Sequence, residues 1–154
     1  MEMAIHLNTT FANHGLVAHA FIDVNNAMNR SGYEINNSLL DFYLYLVNQE
    51  KLPFLTCDGL HVYDGNFRQI DFVERKIAVD NAFAPVQEII EEIKMLGLPK
   101  PMVICGGTPA FTSHALRESV FCSPGTCVIS DWGYGESLKE QDTKRDLDRI
   151  KKAY

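Results

Sequence analysis

The sequence predicts an α/β domain whose core is a parallel sheet or barrel. Two observations carry this prediction: short β-rich segments alternate with stretches of helical periodicity, and the β-rich segments run into glycine or polar residues. A helix between two strands returns the chain to the same end of the sheet, so successive strands run parallel. The 154 residues suffice for one domain with a buried core.

The first half of the chain supplies two of the predicted strands. In order, we expect a short helix over 2–14, a strand over 18–25, a helix capped at 36–38 and a strand over 54–65. Successive side chains point to opposite faces of a strand. Asp23 and Asn25 therefore share one face of the first strand. Gly59, His61 and Tyr63 share one face of the second.

The second half begins with the longest predicted helix. It runs from about Asp71 to Leu96, and Pro85 inside it should kink it or divide it in two. Gly97 is placed to cap its C-terminus. Its expected apolar stripe consists of Val73, Ile77, Val86, Ile89, Ile90, Ile93 and Leu96. The remaining predicted elements are a strand over 102–107, a helical turn over 112–117, a strand over 125–131 and a charged, solvated helix over 136–154.

Charge and composition argue against several classes of function. The net charge is −6, and there is no basic patch with interleaved aromatic residues, so nucleic acid is not an expected partner. No apolar run approaches the roughly 20 residues that span a bilayer, and the N-terminus lacks a signal-peptide pattern. The four cysteines have no metal-binding spacing. We therefore expect a reduced, cytoplasmic protein.

Two glycine-containing turns are the strongest candidates for a binding site. Gly106, Gly107 and Thr108 in CGGTPAF follow the third predicted strand, whereas Gly125 and Thr126 in SPGT begin the fourth. Glycine allows a positive φ and the close approach of a ligand, and main-chain amides in such turns form anion-binding concavities. A phosphate group is the natural ligand for both turns. The alternative, which carries equal weight, is that both segments are ordinary turns that bind no ligand.

Four further residues near the strand ends have two interpretations each. Arg30 either pairs with an oxyanion of a ligand or, as its loop position favours, with an aspartate. His61 is either a hydrogen-bonded core residue or a catalytic base. Tyr63 either packs or takes part in chemistry. Cys105, between apolar residues and glycine, is expected to be buried and unreactive, and a reactive role is the alternative.

Four segments, in this order, resemble the D-threonine aldolase-like group of the alanine racemase superfamily, which are pyridoxal phosphate enzymes of fold type III. They are FIDVNNAMNRSG, GLHVYDGNFR, CGGTPAF and CSPGTCVISDWGYG, within residues 18–135. The resemblance implies a (β/α)8 TIM-type barrel of the alanine racemase N-terminal-domain type, followed in the family by a β-domain. Residues 1–135 suffice for only about the second half of that barrel. The β-domain is expected to be absent.

The resemblance also implies a pyridoxal 5′-phosphate site at the carboxyl ends of the strands. The residues that would cradle the cofactor phosphate are Gly106, Gly107, Thr108, Gly125 and Thr126. Arg30 would lie near the phenolic oxygen, with His61 and Tyr63 beside the ring as the candidate catalytic residues. Ser123 would stand where the family carries the partner of the pyridine nitrogen. Tyr134 belongs to a D-x-x-Y-G segment at the end of the barrel.

The Schiff-base lysine of this family has no counterpart in the chain. The family carries it at the end of the first barrel strand, where it bonds the cofactor aldehyde. The lysines present are Lys51, Lys76, Lys94, Lys100 and those from Lys139 onward, and none ends a predicted strand. The metal ligands of the family's β-domain are also missing, so a divalent metal is expected only in a full-length protein. Asn66 stands where many relatives have histidine.

The predicted function is that of a fragment of a pyridoxal-phosphate-dependent enzyme acting on D-amino acids. Ser123 favours retro-aldol cleavage of β-hydroxy D-amino acids, because the resemblance puts an arginine there in alanine racemases. A full-length protein is expected to be a homodimer with a small D-amino acid as substrate. The alternatives are an amino-acid racemase, a small barrel protein that handles pyridoxal phosphate itself, and a non-catalytic phosphate-binding remnant. Unpaired strand edges predict that the isolated chain self-associates.

Overall fold

The computed structural model describes residues 1–126, which form a parallel sheet and four helices. The elements are α1 (Glu2–Ala12), β1 (Ala18–Asn25), α2 (Asn37–Leu46), β2 (Leu55–Tyr63), α3 (Phe72–Met95), β3 (Met102–Cys105), α4 (Phe111–His114) and β4 (Phe121–Cys122). The strand order is β1-β2-β3-β4, with every neighbouring pair parallel. The predicted α/β architecture is confirmed. Over these residues no helix is both long enough and apolar enough to cross a membrane.

The hydrophobic core lies between one face of the sheet and the helices. Alternate strand residues point into it, including Ile22 from β1, Leu60 from β2 and Val103 from β3. The buried helix positions opposite them are Leu39, Tyr43, Leu46, Val86, Ile89, Ile90 and Ile93. The other face of the sheet is open to solvent in the described part of the chain, where Met102 and Phe121 are 43% and 59% exposed.

The long helix α3 begins and ends where its capping residues predict. The Asp71 carboxylate accepts hydrogen bonds from two main-chain N–H groups of the first turn, at 2.8 and 3.0 Å. Gly97 takes a φ of 76° just beyond the last turn. Pro85 does not divide the helix, which is continuous through it. Pro85 and Asn81 are both exposed, so water can solvate the carbonyl that loses its N–H partner.

The apolar stripe of α3 was predicted correctly only between Val86 and Ile93. Val73, Ile77 and Leu96 are 62%, 55% and 56% exposed, so their assignment to the stripe was wrong. The buried residues of the first half are Arg75, Val79 and Phe83. Arg75 turns inward because its guanidinium donates to the carbonyls of two residues that precede the helix. A polar anchor therefore sets the buried face of this end of the helix.

The sequence did not predict β4, which consists of Phe121 and Cys122 and pairs with Ile104 and Cys105 of β3. Of the strand predicted over 125–131, residues 125 and 126 are not in a strand, and residues 127–131 lie outside the described residues. Ser123 continues this pairing by donating its main-chain N–H to the Cys105 carbonyl at 3.1 Å. The SPGT turn therefore follows β4. The predicted residues of 127–154, including Tyr134 and the charged tail, lie outside the described residues.

Candidate functional site

The two glycines after β3 serve different purposes. Gly106 has a φ of 88°, which side chains rarely adopt, and a Cβ there would lie 2.9 Å from the Cα of Phe111. Gly107 instead allows close packing, because its Cβ would lie 2.9 Å from Gly65 Cα and 3.1 Å from Tyr63 Cε2. The turn after β3 is thus pressed against the segment that follows β2.

The two glycine-containing turns meet through their threonines. The side-chain hydroxyls of Thr108 and Thr126 are 2.8 Å apart. Thr108 is only 7% exposed, so its hydroxyl is held in place by its surroundings. Because β4 ends at Cys122, both turns lie beyond the carboxyl ends of neighbouring parallel strands. Ligands of open α/β sheets and barrels bind at this end of the strands.

The main-chain amide of Gly107 is committed to the protein. Its N–H donates to Asp64 Oδ1 at 3.2 Å. The sequence-based hypothesis that successive amides of this turn face one anion therefore fails for Gly107. The hydroxyls of Thr108 and Thr126 are the donors that the two turns bring together.

Arg30 and Tyr63 form the neighbouring part of the site. The Arg30 guanidinium carbon lies 4.8 Å from the centroid of the Tyr63 ring, and the same ring contacts the turn at Gly107. Asp23, the aspartate closest in sequence, instead accepts a hydrogen bond from Ser31 at 2.8 Å. The contact with the Tyr63 ring is neither of the two roles considered for Arg30, so pairing with a ligand oxyanion and pairing with an aspartate both stay predictions.

His61 lies on the open face of the sheet, two residues before the end of β2. Its Nδ1 is 3.2 Å from Asp23 Oδ1, and the two side chains are 40% and 44% exposed. The two residues are paired in the register of β1 and β2. His61 is therefore hydrogen-bonded but is not a core residue.

The remaining residues singled out in the sequence are Ser123, Gly125 and Cys105. Ser123 and Gly125 are exposed after β4, and a Cβ on Gly125 would meet no atom within 4 Å. Cys105 is fully buried, and burial raises the pKa of its thiol, as expected for an unreactive cysteine. Within residues 1–126, no three His, Cys, Asp or Glu side chains are grouped so that they could hold a metal ion.

Sequence reasoning missed a buried polar network beneath the turn after β3. Asp64 and His114 are completely buried, and Asp64 Oδ2 accepts a hydrogen bond from His114 Nε2 at 2.7 Å. Asn26, also buried, donates to the same oxygen at 3.4 Å. Polar residues directly after a strand were the only available signal for Asp64 and Asn26. No local pattern marks His114 as their partner.

The comparisons with known proteins support the resemblance deduced from the motifs. No protein-family model matches the chain. It is 23% identical over 131 residues to a 3-hydroxy-D-aspartate aldolase of Paracoccus denitrificans (strain Pd 1222), which covers 82% of this chain and 33% of that relative. The chain therefore spans about a third of the relative's length.

Two solved structures have the same fold. A D-threonine aldolase from Filomicrobium marinum superposes with a TM-score of 0.78 at 21% identity, over 90% of this chain and 37% of that one. An alanine racemase of Clostridium difficile 630 in complex with cycloserine gives 0.71 at 13% identity, over 91% and 36%. The chain thus has the fold of part of the TIM-type barrel shared by D-threonine aldolase and alanine racemase, as its motifs predicted.

Proposed function

We propose that the chain is the phosphate-binding part of a pyridoxal-phosphate-dependent enzyme that cleaves β-hydroxy D-amino acids. The observation that carries this proposal is the pair of threonine hydroxyls 2.8 Å apart at the carboxyl ends of β3 and β4. It is supported by the likeness to two aldolases, one of them named for D-threonine and the other for 3-hydroxy-D-aspartate. The activity is that of the larger protein, because the chain spans only about a third of such enzymes.

The described residues fit the phosphate and the ring of this cofactor. One of the two threonine hydroxyls donates to the other, which leaves one O–H free, and a phosphate oxygen would be a strong acceptor for it. Arg30 supplies a positive charge beside the Tyr63 ring. Gly107 brings the turn against that ring, so the hydroxyl pair and the cation border one region. We assign phosphate binding to the two threonines and binding near the phenolic oxygen to Arg30.

The cofactor supplies an electron sink for the bonds to the amino acid Cα. The chain's own contribution is to bind, orient and exchange protons. Tyr63 would support the ring, held between Arg30 and the glycine turn. His61 would move a proton through Nε2, because its Nδ1–H donates to Asp23 and the carboxylate fixes this orientation. The β-hydroxyl of the substrate is the group whose proton must leave when the Cα–Cβ bond breaks.

Aldol cleavage is preferred to racemisation because Ser123 is neutral at the position where the resemblance puts an arginine in racemases. The likeness to an alanine racemase structure keeps racemisation as the second candidate. The two reactions differ in products. Cleavage of D-threonine releases glycine and the aldehyde that carries the former Cβ, whereas racemisation gives the L enantiomer and no aldehyde.

The test uses the longest gene product that contains this chain. We expect it to release equimolar glycine and aldehyde from D-threonine or 3-hydroxy-D-aspartate in the presence of pyridoxal phosphate. Thr108→Val should weaken cofactor binding, because it removes one hydroxyl at almost constant shape. Borohydride reduction should trap the cofactor on one lysine that ends a barrel strand. Formation of the L enantiomer without aldehyde would favour the racemase, and no trapped lysine would favour the non-catalytic remnant.

A further inference from the structure

Asp64 joins four separate segments of the chain at one buried carboxylate. It is the first residue after β2, and its side chain is 0% exposed. Its Oδ1 accepts the Gly107 N–H at 3.2 Å. Its Oδ2 accepts from His114 Nε2 of α4 at 2.7 Å and from Asn26 Nδ2, just after β1, at 3.4 Å. All three contacts come from donors, and an ionised carboxylate can accept them all.

The tautomer of His114 follows from the contact that its second ring nitrogen makes. Arg117 Nε donates to His114 Nδ1 at 3.3 Å, so Nδ1 is the acceptor and the hydrogen resides on Nε2, facing Asp64. The ring also packs edge-on against Phe83, with centroids 5.3 Å apart. His114 is therefore held from three sides in the state that donates to Asp64.

The network continues to the outer surface of α3. Arg117 lies over the Phe83 ring, 4.5 Å from its centroid, and donates to Asp80. Asp80 also pairs with Lys76. Burial alone would raise the pKa of the Asp80 carboxyl, but Lys76 and Arg117 outweigh it and hold that pKa below its ordinary value. A continuous chain of charged and polar contacts thus leads from α3 to the turn after β3.

We propose that Asp64 is a positioning residue that holds the Gly106–Thr108 turn in the shape that brings Thr108 to Thr126. The inference rests on the proposed phosphate site, but the shape of the turn can be measured without it. A buried carboxylate bound by three donors has little freedom to shift. Because Gly107 directly precedes Thr108, holding its N–H restrains the main chain from which the Thr108 hydroxyl projects.

Asp64→Asn is the most informative substitution, because it keeps the shape and changes one acceptor into a donor. The new amide group must face either the Gly107 N–H, which cannot accept, or His114 Nε2, which could accept only if the ring hydrogen moved to Nδ1 and the contact from Arg117 Nε were lost. We expect hydrogen exchange of the Gly107 amide, followed by NMR on the 154-residue chain, to become about ten- to a hundredfold faster. The affinity for inorganic phosphate, followed at the Thr108 amide, should fall at least tenfold.

Thr108→Val is the matched control. It removes a hydroxyl without touching Asp64, so phosphate binding should weaken while the Gly107 exchange rate stays within a factor of about three. A purely structural role for Asp64 would predict loss of stability with unchanged phosphate affinity in any Asp64→Asn protein that remains folded. That result, or unchanged exchange at Gly107, would overturn the inference.

A second pair of variants covers the case in which Asp64→Asn does not fold. His114→Gln retains a donor for Asp64 and should keep the protection of the Gly107 amide, whereas His114→Leu removes the donor and should lower it. Equal protection in both would overturn the inference. If the wild-type chain binds no phosphate at all, the proposed function fails, and the exchange rates at Gly107 alone decide the role of Asp64.

Discussion

Gly107→Ala tests whether the turn after β3 is packed as tightly as the structure describes. A Cβ at this position would lie 2.9 Å from Gly65 Cα, 3.1 Å from Tyr63 Cε2 and 3.2 Å from Gly65 N. Two of these neighbours are backbone atoms, so the turn itself must move. Overfilling of a packed site costs about 1–3 kcal/mol. For a chain of this size that lowers Tm by about 2–12 °C, and it displaces Thr108 from Thr126.

Gly125→Ala is the control, because the same methyl group enters open space in the adjacent turn. We expect its unfolding free energy to stay within about 0.5 kcal/mol of wild type. Thermal unfolding followed by circular dichroism compares the two variants, and titration with inorganic phosphate reports on the site. If Gly107→Ala unfolds and binds phosphate like Gly125→Ala, the turn does not pack on Tyr63 and the reasoning from these distances is refuted.

Three further predictions concern the surface and the titrating groups. Burial raises the pKa of the Cys57 and Cys122 thiols to about 11. Because the thiolate is the reactive form, alkylation of both cysteines, mapped by mass spectrometry, should be slow at pH 7.5 and accelerate toward pH 11. Rapid labelling at pH 7.5 would contradict this. Lys76 and Arg117 hold the pKa of Asp80 below its ordinary value, so its ion pairs stabilise the fold above that ordinary pKa and are lost as the pH falls through the lower folded-state pKa. Asp80→Asn should cost about 0.5 kcal/mol at pH 6, and urea denaturation should give a smaller difference from wild type at pH 3. The exposed sheet face at Met102 and Phe121 predicts concentration-dependent self-association in sedimentation velocity, and a monomer at all concentrations would count against it.

Most of the architecture was predictable because periodicity reports which side of an element is buried. Residues 21–24 of β1 and 60–63 of β2 alternate in burial as their sequences do. The same reasoning failed for β4, since a two-residue strand has no period and exists only through its pairing with β3. It also failed at Val73 and Ile77, because the inward turn of Arg75 depends on carbonyls outside the helix.

The candidate site was predictable only where a motif marked it. The glycines after the third predicted strand indicated the turn at 106–108. The contact between the hydroxyls of Thr108 and Thr126 agrees with the phosphate hypothesis. The pairing of Asp64 with His114 was not predictable, because the two residues are 50 positions apart and meet only when α4 packs beneath the strand ends. The involvement of the Gly107 amide with Asp64 was missed for the same reason.

The proposed function requires that the hydroxyls of Thr108 and Thr126 bind a phosphate monoester. Isothermal titration of the 154-residue chain with pyridoxine 5′-phosphate and with pyridoxine tests it directly, because neither compound has an aldehyde that could react with surface lysines. We predict at least tenfold tighter binding of the phosphorylated compound, and loss of most of that preference in the Thr108→Val, Thr126→Val double variant. Equal affinity for the two compounds in the wild-type chain, or a preference that survives the double substitution, would contradict the claim.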